Sequence, residues 1–208
     1  MFISIDGGDG TGKSLQISLL KKYFEKQQKE VILCREPGST RLGEAIRNIL
    51  LNENGTKISV KSEMFLFMAA RAQLVEEIIR PALQKNQIVL CDRFLLSTLV
   101  YQGIAVQDSM EEIWKIGEIA VDTVWPNLMI LLDVDPTIAL QRIKRPLDRM
   151  ESKGIDFHQR VRAGFLKAAD KWNQIFPNRC IVVDSSGTPE QVSQTIQNIV
   201  DQILFIKY

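Results

Sequence analysis

The stretch Gly7-Gly8-Asp9-Gly10-Thr11-Gly12-Lys13-Ser14 constrains this chain more than any other; a short apolar run, Phe2-Ile3-Ser4-Ile5, precedes it and an amphipathic helical pattern follows. It matches the phosphate-binding loop G-x-x-x-x-G-K-[ST] in the strand–loop–helix setting that pattern requires. The glycines at 7, 8, 10 and 12 let consecutive backbone N–H groups, those of Asp9 and Thr11 among them, turn inward around phosphate oxygens. The positive end of the following helix points at the same anion. Lys13 has the reach for the β- and γ-phosphates of a nucleotide, and the Ser14 hydroxyl can ligate Mg²⁺. The loop holds a nucleotide phosphate but does not say which reaction follows.

The rest of the chain reads as strands alternating with helices. Apolar strand runs are expected at 2–5, 30–34, 87–91, 128–132 and 180–183, with helices at 13–28, 42–51, 96–102, 109–124, 157–176 and 189–206. A long helix capped by Ser62 and carrying Met64, Phe65, Phe67, Met68 and Leu74 is expected to stop at Arg80, before Pro81. The run 128–132 is uniformly apolar, as a strand covered on both faces should be. This order implies a parallel five-stranded sheet in an α/β sandwich. At 208 residues the simplest reading is one domain over 1–208, with a mobile lid at about 142–156, where charge and Pro146 and Gly154 interrupt the periodicity.

Composition narrows the partners. Lys and Arg number 26 against 25 Asp and Glu, so no global field is present to hold nucleic acid or an anionic membrane, and small nucleotides gripped locally are the expected partners. Cys34, Cys91 and Cys180 lie singly in apolar runs without metal-ligand spacing and read as buried thiols. With no segment near 18 uninterrupted apolar residues and a core strand beginning at Phe2, a cytoplasmic protein is expected.

Ligands of an open α/β sheet bind beyond the carboxyl ends of its strands. Those ends carry the loop, Arg35-Glu36, Asp92-Arg93, Asp133 and Asp184. Arg35 and Arg93 suit bidentate binding of a second phosphate, that of an acceptor opposite ATP; each could instead serve a surface pair. Asp92 is placed to hold Mg²⁺ through water with Ser14 as the other ligand, or alternatively to cap the next helix. Arg142, Lys144, Arg145 and Arg149 form either a solvated face or a lid supplying an arginine in cis to the transferring phosphoryl group. The single histidine, His158, is expected to face solvent or be structural.

Taken in order, these motifs resemble the thymidylate kinase family. The matching pieces are Phe2-Ile3 leading to Asp9–Ser14, then Arg35-Glu36-Pro37-Gly38-Ser39-Thr40, Gly43-Glu44-Ala45-Ile46-Arg47, Ala70-Arg71-Ala72-Gln73, and Asp92-Arg93-Phe94. Ser97-Thr98, Tyr101-Gln102-Gly103, Leu132-Asp133-Val134-Asp135-Pro136 and Asp148-Arg149-Met150-Glu151 complete the set. The resemblance implies a P-loop nucleoside-monophosphate-kinase-like sandwich, a homodimer, Mg²⁺ dependence, and ATP + dTMP → ADP + dTDP in dTTP synthesis. It further implies that Phe67 stacks on thymine and that Arg71, one turn on, bonds a base carbonyl. Thr98 would lie at the base edge, with Gln102 also in the acceptor site, and Tyr101 would crowd the sugar 2′ position. Asp9 would approach the 3′-hydroxyl, and Arg35 and Arg93 would grip the monophosphate. Arg142 would cover adenine, while Arg145 or Arg149 bridges the transferring group. Because Gly10 follows Asp9, the loop has no arginine of its own, as in bacterial members with lid arginines. Many relatives have an Asp where this chain has Leu95-Leu96. The alternatives are a kinase for another nucleoside or nucleotide, or a non-catalytic ATP-binding module.

Overall fold

The computed structural model describes residues 1–51, 57–105, 110–144 and 154–205. Five strands, β1 (Phe2–Gly7), β2 (Val31–Arg35), β3 (Ile88–Asp92), β4 (Leu128–Asp133) and β5 (Cys180–Asp184), form one sheet in the order β2-β3-β1-β4-β5. Every neighbouring pair is parallel. All five carboxyl ends therefore open on one edge, and the chain leaves β1 toward β2 and later crosses to β4 on the opposite side. The crevice at the end of β1 is the switch point where ligands of such sheets bind.

Period-two alternation in β1 divides the core. Ile3 and Ile5 face a layer built from Ile17, Leu20 and Phe24 of α1 (Lys13–Lys26) and Val192, Ile196 and Val200 of α9 (Pro189–Phe205). Phe2 faces the other layer, in which α3 (Val60–Leu74), α5 (Leu95–Ala105), α6 (Met110–Val121) and α8 (Ile155–Ile175) pack together. Two covered faces require strands apolar throughout, and Leu128–Leu132 are all buried, as the uniform run predicts. Leu95 and Leu96 are fully buried and belong to the core.

Three local expectations are corrected. Ser59, not Ser62, caps α3: its side chain accepts from Ser62 N. The helix does not stop at Arg80. It widens into a π-helical stretch over Val75–Ile79 and continues through Pro81 in α4 (Arg80–Gln84). The wider turn removes the clash between a proline ring and the preceding turn's carbonyl, which is why the proline is tolerated. The helix α6 ends at Val121, before Asp122 adopts φ +42°. The remaining helices are α2 (Arg41–Leu51) and α7 (Pro136–Gln141), the latter capped by Asp135 through Thr137 N.

Candidate active site

The phosphate loop bridges β1 and α1 at the switch point. Gly7 takes φ +144° and Gly10 φ +77°, conformations L side chains rarely adopt. A Cβ on Gly10 would stand 2.0 Å from the Ala139 carbonyl oxygen of α7, so the loop has no room for a side chain there. That is the structural reason this loop carries no arginine after Asp9. Lys13 lies buried in the loop, donating to the carbonyls of Gly7 (3.1 Å) and Gly8 (2.6 Å). Burial, with Arg93 adding to it, lowers the Lys13 ammonium to about 8.

Strand β3 delivers the next group. Ser14 Oγ donates to Asp92 Oδ2 at 3.0 Å, which puts one hydroxyl and one carboxylate side by side at the loop. Such a hard, incomplete oxygen set fits Mg²⁺, which keeps waters and substrate phosphates as its other ligands. Among the described residues no cluster of three or more His, Cys, Asp or Glu could hold a metal alone.

Arg93 follows at φ +68°, a strained backbone for a non-glycine residue and one that aims its side chain back at the loop. Its Nη1 donates to Gly7 O (2.9 Å) and Ser97 Oγ (3.2 Å), and Nη2 to Asp9 Oδ1 (2.5 Å). Tyr101 donates its hydroxyl to Asp9 Oδ2 at 3.1 Å, and its ring lies 5.4 Å from the Arg93 guanidinium carbon. Burial alone would raise Asp9, but Arg93, Lys13 and the Tyr101 hydroxyl together hold it below the usual carboxylate range. Burial opposes charge on Arg93 as well; the surrounding Tyr101, Asp9, Asp92 and Asp6 outweigh it and raise its pKa. Arg93 thus ties helix α5 to the phosphate loop.

These groups open into a cleft of about 810 Å³. Asp9, Gly10, Thr11, Gly12, Lys13 and Ser14 line it, with Asp92 and Arg93. Phe67, Thr98, Tyr101, Gln102 and Arg142 line it as well. Arg142 donates to the carbonyls of Ser185 (2.9 Å) and Ser186 (3.1 Å), so the start of the expected lid is fastened to the turn after β5. Gln102 Nε2 donates to Glu63 Oε1 at 2.9 Å.

Several expected site residues fall elsewhere. Arg35, with a side chain 52% exposed, chelates Glu44 through Nη2 (3.1 Å to each oxygen) and is not among the cleft-lining residues. The cation that does line that wall is Arg47, held by Pro37 O at 2.9 Å. Arg71 is 1% exposed and stands behind the wall, bonded to Glu36 and Thr98. Gly7 and Gly8 are not among the cleft-lining residues. Asp133 is taken up by Arg162 (2.7 and 2.8 Å) and Asp184 by Ser186, both structural roles. His158 is buried, edge-on to Phe157, which excludes the solvent-facing alternative. Arg145 and Arg149 lie outside the described residues. The sequence reading missed Glu36, Arg47, Glu63 and the Ser185–Gly187 turn as cleft walls. Two of these had a signal: Arg47 its place in the Gly43–Arg47 motif, and Glu36 its place at a strand end in the Arg35–Thr40 motif.

A phosphate loop at the switch point of a parallel five-stranded sheet, lining one cleft with Arg93, Arg47 and Arg142, defines a P-loop kinase fold of the nucleoside-monophosphate-kinase type. The family model for thymidylate kinase matches residues 5–196. A thymidylate kinase from Geobacillus sp. (strain WCH70) is 40% identical over 207 residues, covering 97% of each chain. One from Symbiobacterium thermophilum is 42% identical over 205 residues, covering 98% of this chain and 94% of that one. The crystal structure of thymidylate kinase from Ehrlichia chaffeensis superposes with a TM-score of 0.79 at 32% identity, over 96% of this chain and 98% of that one. The chain belongs to the thymidylate kinase family.

Proposed function

We propose that this protein transfers the γ-phosphoryl group of ATP to the 5′-phosphate of dTMP, giving dTDP and ADP. The observation that carries the reading is one cleft of about 810 Å³ whose lining joins the phosphate loop, with Lys13, to Phe67, Thr98, Tyr101 and Gln102 and to Arg142. The acceptor is already an anion, so no strong general base is needed, and positioning and charge stabilisation do the work. Lys13 draws the donor phosphates, while Arg93 and Arg47 face the acceptor phosphate. Asp9, ionised and held by Arg93 and Tyr101, faces the acceptor sugar. Arg142 bounds the donor base. Phe67, Thr98 and Gln102 bound the acceptor base. Ser14 and Asp92 would hold Mg²⁺, which when bound neutralises charge on the polyphosphate. An arginine from 145–149 completes the closed site in this reading.

The same reading takes the protein to be a cytoplasmic homodimer. No helix among the described residues is long and apolar enough to cross a membrane. The test is product identity. With ATP, Mg²⁺ and dTMP, chromatography should show dTDP and ADP formed in equal amounts, and a chelator in excess of the metal should stop both. ATP binding without any dTDP would replace the kinase with a binding module.

A further inference from the structure

Gln16 closes the first turn of α1, its N–H donating to the carbonyl of Gly12 in the phosphate loop at 3.0 Å. The residue is buried, yet it is one of those lining the cleft. Its Nε2 donates at 3.0 Å to the carbonyl of Pro189, the first residue of α9. Pro189 also ends the turn that follows β5, and Ser185, Gly187 and Pro189 of this turn line the cleft. Ser185 N anchors the near end of the turn on Asp133 O at 2.8 Å, and Gln16 anchors the far end on α1. Within this span the carbonyls of Ser185 and Ser186 hold Arg142. Gln16 thus joins the helix that follows the phosphate loop to the wall that holds Arg142.

Taken alone, an amide is an unfavourable side chain for that joint. A carbonyl only accepts, so the nitrogen must face Pro189, and this fixes the place of Oε1. That oxygen is buried and meets no hydrogen-bond donor among the described residues. A buried acceptor left unpaired loses more than one ordinary hydrogen bond contributes, whereas an apolar side chain of the same length carries no such penalty. Stability therefore does not account for a glutamine here. We infer that Gln16 is a positioning residue for the donor nucleotide: it holds the turn after β5, and with it Arg142, at the distance from the phosphate loop that the ribose and base require. This rests on the donor reading above, in which Lys13 draws the phosphates and Arg142 bounds the base. Gln16 acts on the part of ATP beyond its phosphates and leaves the acceptor untouched.

The experiment compares the wild type with Gln16→Met, which keeps the length and loses the amide, and Gln16→Asn, whose amide is too short to reach Pro189. The measurements are kcat, KM for ATP and for dTMP, the inhibition constant of tripolyphosphate against ATP, and melting curves. Tripolyphosphate has neither ribose nor base, so it reports on the phosphate loop alone. In Gln16→Met, KM for ATP should rise about fivefold, as for the loss of one hydrogen bond, while kcat and KM for dTMP change less than about twofold. Tripolyphosphate should inhibit this variant as it does the wild type, and the melting temperature should hold or rise. Gln16→Asn should also raise KM for ATP but melt lower, since it buries an amide with neither end paired. An unchanged KM for ATP in Gln16→Met overturns the proposal. So does a parallel weakening of ATP and tripolyphosphate, which would put the effect on the phosphate loop itself. A Gln16→Met that fails to fold, or melts well below wild type, also overturns it, because the amide is then a structural link. A wild type that makes no dTDP, or in which tripolyphosphate does not compete with ATP, overturns the donor reading and this inference with it.

Discussion

Lys13 shows how far one residue's environment governs the donor site. Enclosure beside Arg93 brings its ammonium from 10.5 to about 8, so in the free enzyme the charge is lost as pH rises through that value. A bound polyphosphate favours the proton and restores it. We therefore expect kcat/KM for ATP to fall between about pH 7 and about pH 9.5, while kcat at saturating ATP declines only at higher pH. Stability moves the other way. The folded value lies below the unfolded one, so the unfolded chain binds more protons between 8 and 10.5, and Lys13 adds stability as pH rises across that window. Loss of ATP capture in that range is therefore not unfolding, and melting curves recorded alongside the kinetics separate the two. A flat kcat/KM profile would contradict the Lys13 assignment. Gly10 is the complementary case, where a close approach by Ala139 dictates the residue and leaves the loop without an arginine.

Among the elements, the junction of β1 and α5 joins donor site to acceptor site. Asp6, the residue before the phosphate loop, accepts from Phe94 N (3.3 Å), Ser97 N (3.1 Å) and Ser97 Oγ (2.6 Å) at the start of α5. Its carboxylate satisfies N–H groups that the helix itself cannot, and it favours the positive helix end. Asp6→Ala leaves these buried donors without an acceptor and should cost about 2–4 kcal/mol in denaturant titrations. Because α5 carries Thr98 and Tyr101, KM for dTMP should rise more than KM for ATP. Unchanged stability would remove Asp6 from this role. The helix breaks show what local pattern can and cannot reveal. The loop glycines announce themselves by residue type. Ser62 was read as the cap where Ser59, three residues earlier, serves, because residue type alone carries no backbone angle, and Pro81 marks a stop unless the turn before it is known to be wide.

For the molecule as a whole, the five parallel strands and the phosphate loop were legible because each rests on residues adjacent in sequence: an apolar run, a glycine spacing, a cap. The strand ends then named Asp92 and Arg93 correctly as cleft residues. What the chain order hid were the pairings between distant segments. Arg35 and Arg47 look alike in sequence, yet Glu44 takes the first and the cleft wall the second. Arg71 is held by Glu36, 35 residues earlier. Such choices depend on which partner is nearest once the sheet has formed, and no periodicity encodes that.

The central claim is that one cleft presents ATP to a thymidine monophosphate, and a panel of acceptors tests it most directly. With ATP and Mg²⁺, kcat/KM should be highest for dTMP, with AMP, CMP and GMP lower by at least about a hundredfold, as expected when fixed polar groups are left unpaired. A clear preference for AMP, CMP or GMP over dTMP would contradict the account.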